Sequence, residues 1–131
     1  MRFFLDSWFA PRQARALNEL VCPGHSFEHI HDKFSPDGKT EDWVTAIKND
    51  GRWIVVSGDH HAPRSAHECR GWRESGLTVF FLNEDWMSIP PFQQHTKLLL
   101  LLNKIVARAE EDPPGCGFTV SVRGKIQKIY S

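Results

Sequence analysis

The chain lacks most of what marks a specialised class of protein. Its three cysteines, Cys22, Cys69 and Cys116, are odd in number, far apart and in no C-x-x-C pair. That excludes a disulfide framework or a zinc ribbon and suits a reducing cytosol. An excess of one charge is also missing, because 16 Lys and Arg balance 16 Asp and Glu. No general positive field would hold nucleic acid or an acidic membrane, so any nucleic-acid contact needs a local cluster. Long apolar runs are absent as well. The opening "FFL" is cut by Asp6, and Leu98 to Leu102 fall far short of the roughly 20 residues of a spanning helix. The expectation is a cytoplasmic protein with neither secretion signal nor membrane helix. There are no repeats, linkers or low-complexity tracts, and 131 residues suffice for one domain, 1–131, with a core that needs no staples.

What is present alternates. "RFFLD" reads as a buried strand, and "SWFAPRQARALNEL" carries apolar residues at helical spacing, with Ser7 as its cap and Pro11 in its first turn. "CPG" ends that helix. "SFEHIH" alternates as a second strand, and "DKFSPDGK" is a polar loop. Thr40 caps "EDWVTAIKND", which Asp50-Gly51 stops before the strand "RWIVVS". "SAHECRGWRES" is a short helix closed by Gly76, and "LTVFFL" is a strand apolar on both faces. This order predicts an α/β protein with a central, mainly parallel sheet covered on both sides. "PFQQHTKLLLLLNKIVARAEE" is a long helix, apolar enough to be buried on most of its circumference. Beyond "DPPGCG", the runs "FTVSV" and "KIQKIY" flank Arg123-Gly124 as a two-residue hairpin turn.

Open parallel sheets bind ligands beyond the carboxyl ends of their strands, where the chain order reverses. Asp6 ends the first strand, Asp59 follows the third, and Glu41 with Asp42 opens the helix before the third. If the first and third strands are neighbours, these acids reach one crevice. Carboxylate oxygens suit hard cations such as magnesium or manganese, which can activate water and stabilise charge on a phosphodiester. Each acid also has an ordinary reading as a turn residue or a helix-dipole partner.

The segments "MRFFLDSWFAPRQARALNEL", "KTEDWVTAIKNDGRWIVVSGD" and "APRSAHECRGWRESGLTVFFL", with the long helix and hairpin after them, resemble compact PIN-like proteins related to VapC-type toxins. The shared pattern is a strand ending in Asp, an acid opening a later helix, and a strand ending in Thr/Ser-x-Asp. The resemblance implies a three-layer α/β/α PIN-like fold with a C-terminal β-hairpin. It also implies an endoribonuclease dependent on Mg2+ or Mn2+, the toxin of a type II toxin–antitoxin pair. By motif, Asp6 and Asp59 would hold the metal together with Glu41, which has the expected spacing, or Asp42, which has the commoner side chain. The implied partners are RNA, an antitoxin protein laid over the acids, and a second copy of the chain.

Two positions depart from that pattern. Trp8 stands where many relatives carry a polar residue, and "DHHA" (Asp59 to Ala62) lacks a further acid, for which Glu68 in the next helix could stand in. Both favour an alternative, a catalytically weak PIN-like module that binds nucleic acid or protein. His60, beside Asp59, is the histidine best suited to proton transfer near neutrality. His25, His29 and His31 cluster, with His29 and His31 on one strand face, at a spacing unlike a zinc finger. Arg12, Arg15, Lys39, Arg64 and Arg70 lie near the acids in sequence; Arg12 and above all Arg64 are candidate phosphate contacts. Trp8 and Trp72 are either base-stacking platforms or core residues.

Overall fold

The computed structural model describes residues 1–34, 40–58 and 66–131; of residues 40–43 and 66–68 it describes the backbone. Strands β1 (Arg2–Leu5), β2 (Ser26–His29), β3 (Ile54–Ser57), β4 (Thr78–Leu82), β5 (Gly117–Val120) and β6 (Ile126–Tyr130) form one sheet in the order β2-β1-β3-β4-β5-β6. All neighbours are parallel except β5 and β6. Among the described residues five helices accompany them: α1 (Pro11–Val21), α2 (Ile30–Lys33), α3 (Thr40–Lys48), α4 (Ala66–Ser75) and α5 (Pro91–Glu111), with a 3-10 turn at Glu84–Ser88. The expected three-layer α/β/α arrangement with a C-terminal hairpin is what the chain adopts.

The layers follow from alternation along the strands. Phe3, Leu5, Ile54, Val56, Phe80 and Leu82 point to one face, where Leu17 of α1 and Leu98, Leu102 and Ile105 of α5 meet them. Phe4, Val55, Val79 and Phe81 point to the other and pack with Ile47 of α3 and, at its margin, Trp72 of α4. Strands buried on both sides read as continuous apolar runs, which is why "IVV" and "TVFFL" show no polar alternation. Trp72 stacks edge-on against Phe81, at 5.5 Å between centroids, and is a packing residue. The 3-10 turn is tied down by Trp86, whose indole N–H donates to the Val120 carbonyl at 3.1 Å.

Four local readings are corrected. Ser7 does not cap α1. The chain first turns through Phe9, whose amide donates to the Asp6 carbonyl at 3.2 Å, so the helix begins at Pro11. The Ala10 amide at that terminus donates to the Gln13 side chain at 2.7 Å. "SFEHIH" is strand only to His29; Ile30 and His31 open α2, and the His29 ring caps that turn by accepting the His31 amide at 3.0 Å. In α5 a stripe is buried (Gln94, Leu98, Leu102, Ile105, Ala109) rather than most of the circumference, and Leu100 is 74% exposed. The β5–β6 loop has three central residues, not two. Ser121 and Lys125 are joined by a 2.9 Å backbone bond, and the Gly124 amide donates to the Ser121 carbonyl. Gly124 has φ +89°, a conformation that favours glycine in hairpin loops of this length.

This topology sets the position of any site. From β1 the chain crosses by α1 to β2 on one side, then passes back over β1 to β3 on the other. The order therefore reverses between β1 and β3, and the crevice at their carboxyl ends is the expected binding place.

Candidate active site

Parallel pairing of Leu5 with Val56 puts the residues after β1 next to the last residue of β3. Asp6 is there, 8% exposed, with its carboxylate held by three named donors. The Ser57 hydroxyl donates to Oδ2 at 2.5 Å. The Trp8 and Gly58 amides donate to Oδ1 at 3.1 and 3.3 Å. The Asp6 amide also donates to the Val56 carbonyl at 3.4 Å, extending the ladder by one residue. A buried carboxylate without such partners would be costly; with them its orientation is set by both strands.

Trp8 closes one side of this crevice. A Cβ placed on Gly58 would lie 2.1 Å from Trp8 Cδ2, so the indole rests directly on the Gly58 backbone, a closeness that glycine alone permits. The ring also meets Phe9 edge-on at 4.9 Å between centroids. The turn carrying Trp8 is anchored from β2. The His29 Nε2 donates to the Phe9 carbonyl at 2.6 Å while Nδ1 accepts from His31. Both ring nitrogens of this fully buried histidine are thereby occupied, and burial holds its pKa below 6.5. His29 is a neutral support of the loop and not a metal ligand; His31 is exposed on α2 and does not share a strand face with it.

Of the remaining acids, the backbone places Glu41 and Asp42 at the start of α3. Asp50, just past α3, takes the side chain of Arg2 at the amino end of β1 at 3.0 Å. The helix therefore runs back along the sheet, and its start, with Glu41 and Asp42, lies toward the carboxyl edge where Asp6 is. The side chains of Glu41, Asp42 and Glu68 lie outside the described residues, as do Lys39, Asp59, His60 and Arg64 in full. Among the described residues no group of three or more His, Cys, Asp or Glu could hold a metal ion.

Oxygen is the donor type that hard cations take. The site's described acid offers oxygen, and the cysteines are elsewhere: Cys116 is in the core, Cys69 packs at its margin and Cys22 is exposed beyond α1. Of the basic candidates, Arg15 is paired with Asp32 at 3.2 Å. Arg12 is exposed on the first turn of α1 and has no ion pair among the described residues. Ser57 and Gly58 were not singled out as supporting residues by sequence; the Ser-x-Asp spacing was the available signal for Ser57.

No helix among the described residues is long and apolar enough to cross a membrane. A model of the PIN-like domain family matches residues 1–84, from β1 through β4, a span that includes every candidate acid. No curated protein and no solved structure matches the chain.

Proposed function

The chain belongs to the PIN-like domain family, whose members are typically nucleases, and from that premise we propose that it is a divalent-metal-dependent endoribonuclease. The observation that carries the reading is the Asp6 carboxylate, buried at the β1/β3 reversal and oriented by Ser57 and Gly58. Asp6, Asp59 and either Glu41 or Asp42 would hold Mg2+ or Mn2+. Such an ion supplies an activated water and charge neutralisation at a phosphodiester. The chain's own residues do the rest. Ser57, Gly58 and Trp8 fix the direction of Asp6, so the acid needs no reorganisation when substrate arrives. Arg12 and Arg64 engage phosphate oxygens and set the register of the strand. As water adds to phosphorus it loses a proton to His60, the bond to the leaving sugar oxygen breaks, and that oxygen takes a proton from solvent.

Asp6→Asn tests the assignment. The amide keeps the shape: its oxygen can accept from the Trp8 and Gly58 amides while its NH2 donates to the Ser57 hydroxyl, so the variant should fold like wild type. Cleavage of single-stranded RNA should drop by about 100-fold or more, beyond the roughly 10–100-fold typical of losing a partner to a ligand. Calorimetric manganese binding should vanish with it. Retained cleavage by a folded variant overturns the mechanism.

A second reading, a PIN-like module that binds RNA or protein without turnover, is favoured by the Trp8 ring lying on Gly58 and by the absence of an acid after Asp59. It is the conclusion if RNA is bound intact at every divalent-ion concentration. As a type II toxin the protein would arrest growth when expressed alone, act as a homodimer, and be silenced by an antitoxin segment over the acids. Growth arrest abolished by Asp6→Asn supports that assignment.

A further inference from the structure

We propose that the groove between the starts of α1 and α5 seats an unpaired nucleobase of the RNA strand whose phosphate lies at Asp6. This deepens the nuclease reading and rests on it. The groove has a volume of about 680 Å³, a size typical of ligand pockets, and is lined by Trp8, Ala10, Arg12, Gln13, Phe92 and His95 among others. Trp8 is shared between the groove and the candidate site, since its amide is bound to Asp6 Oδ1. A strand with its phosphate at Asp6 therefore passes the mouth of the groove.

The lining fits a base better than an aliphatic chain. Phe92, on the first turn of α5, is 72% exposed, although the buried stripe of that helix begins two residues later. Its ring contributes little to the core and presents a stacking surface. His95 Nδ1 is buried without a hydrogen-bond partner among the described residues, and the edge of a base carries both donors and acceptors with which to meet an imidazole. Arg12 stands at the rim, where the sugar-phosphate chain would run. The floor is rigid: Gln13 is 8% exposed, its carbonyl takes the Ala10 amide, and its amide donates to the Pro91 carbonyl at 2.9 Å. With a formal net charge of zero, the chain has no general field to hold RNA, so a stacked base is a natural source of affinity.

The test is fluorescence anisotropy with a short labelled single-stranded RNA and its abasic counterpart, in EDTA so that neither is cut. Phe92→Ala, at an exposed position, should weaken binding of the base-bearing RNA by about 5- to 150-fold, the range for losing one base–aromatic stack. Phe92→Trp should restore it, and the abasic RNA should bind all of these proteins equally weakly. Equal binding of the two RNAs by wild type, or indifference to Phe92→Ala, overturns the proposal and leaves the groove to another occupant such as an apolar peptide. Asp6→Asn should still bind the RNA. Cleavage that survives in that variant sinks the nuclease mechanism while leaving the base site standing, so the two failures are distinguishable.

Discussion

Gly58→Ala is the substitution whose outcome the geometry specifies most sharply. The new methyl carbon would meet Trp8 Cδ2 at 2.1 Å, Cε3 at 2.2 Å and Cγ at 2.5 Å. Comfortable carbon–carbon contact needs about 3.5–4.0 Å, so all three ring atoms are too close by about an ångström or more. The indole cannot simply slide, because Phe9 stands edge-on to it and the Trp8 amide is tied to Asp6. Overpacking of this kind costs about 1–3 kcal/mol. The clash is with a side chain, so removing the ring should remove most of the cost. In a Trp8→Ala background the added methyl should change stability by no more than about 0.5 kcal/mol, leaving a coupling of about 1–3 kcal/mol in the double-mutant cycle. Urea unfolding followed by far-ultraviolet circular dichroism suits all four proteins, since tryptophan fluorescence would change with the mutation itself. Gly58→Ala that is equally costly in both backgrounds, or costless in wild type, refutes the placement of Trp8 on the end of β3.

Ser57→Ala removes the hydroxyl from Asp6 Oδ2 and should destabilise by about 1–3 kcal/mol, the cost of under-satisfying a buried acceptor; urea midpoints check this, and manganese calorimetry should show weaker binding. His29 makes the fold sensitive to acid. Its folded-state pKa is lowered by burial, so as pH falls below 6.5 the unfolded chain takes up a proton that the folded chain refuses. The contribution is fully present above that value and is lost on descending toward the folded pKa. Urea midpoints should therefore fall between about pH 7.5 and about pH 5.5. His29→Gln, whose amide can still reach the Phe9 carbonyl, should flatten that slope, and an unchanged slope would show that other groups cause it.

The bounds of α5 were legible because proline stands at its first position, apolar residues recur at helical spacing, and "DPP" cannot continue it. The ends of β1 and β3 were legible because each apolar run stops at a polar residue. Other features were hidden by tertiary contacts. "SFEHIH" has strand-like alternation throughout, yet the His29 ring is bonded to Phe9 and to the His31 amide, and that cap turns the chain into α2. Ser7 has the chemistry of a cap, but burying Phe9 requires a turn before the helix can start. The pairing of Asp6 with Ser57 depends on two strands about fifty residues apart lying side by side, which no local pattern encodes. Phe92 looked like any apolar residue of an amphipathic helix until its exposure set it apart.

The sheet order divides labour along the chain. Every candidate acid lies before residue 84, yet β4, the last strand of that part, has β5 along its outer edge, and α5 covers the face on which Phe3, Leu5 and Val56 are buried. A fragment ending at residue 84 would carry all the proposed chemistry with an open sheet edge and one bare apolar face, a combination that invites aggregation. The portion that carries the candidate acids therefore cannot be excised as a folded module. Residues 85–131 contribute none of the candidate acids, but they are the lid and the wall without which those acids would have no floor to stand on.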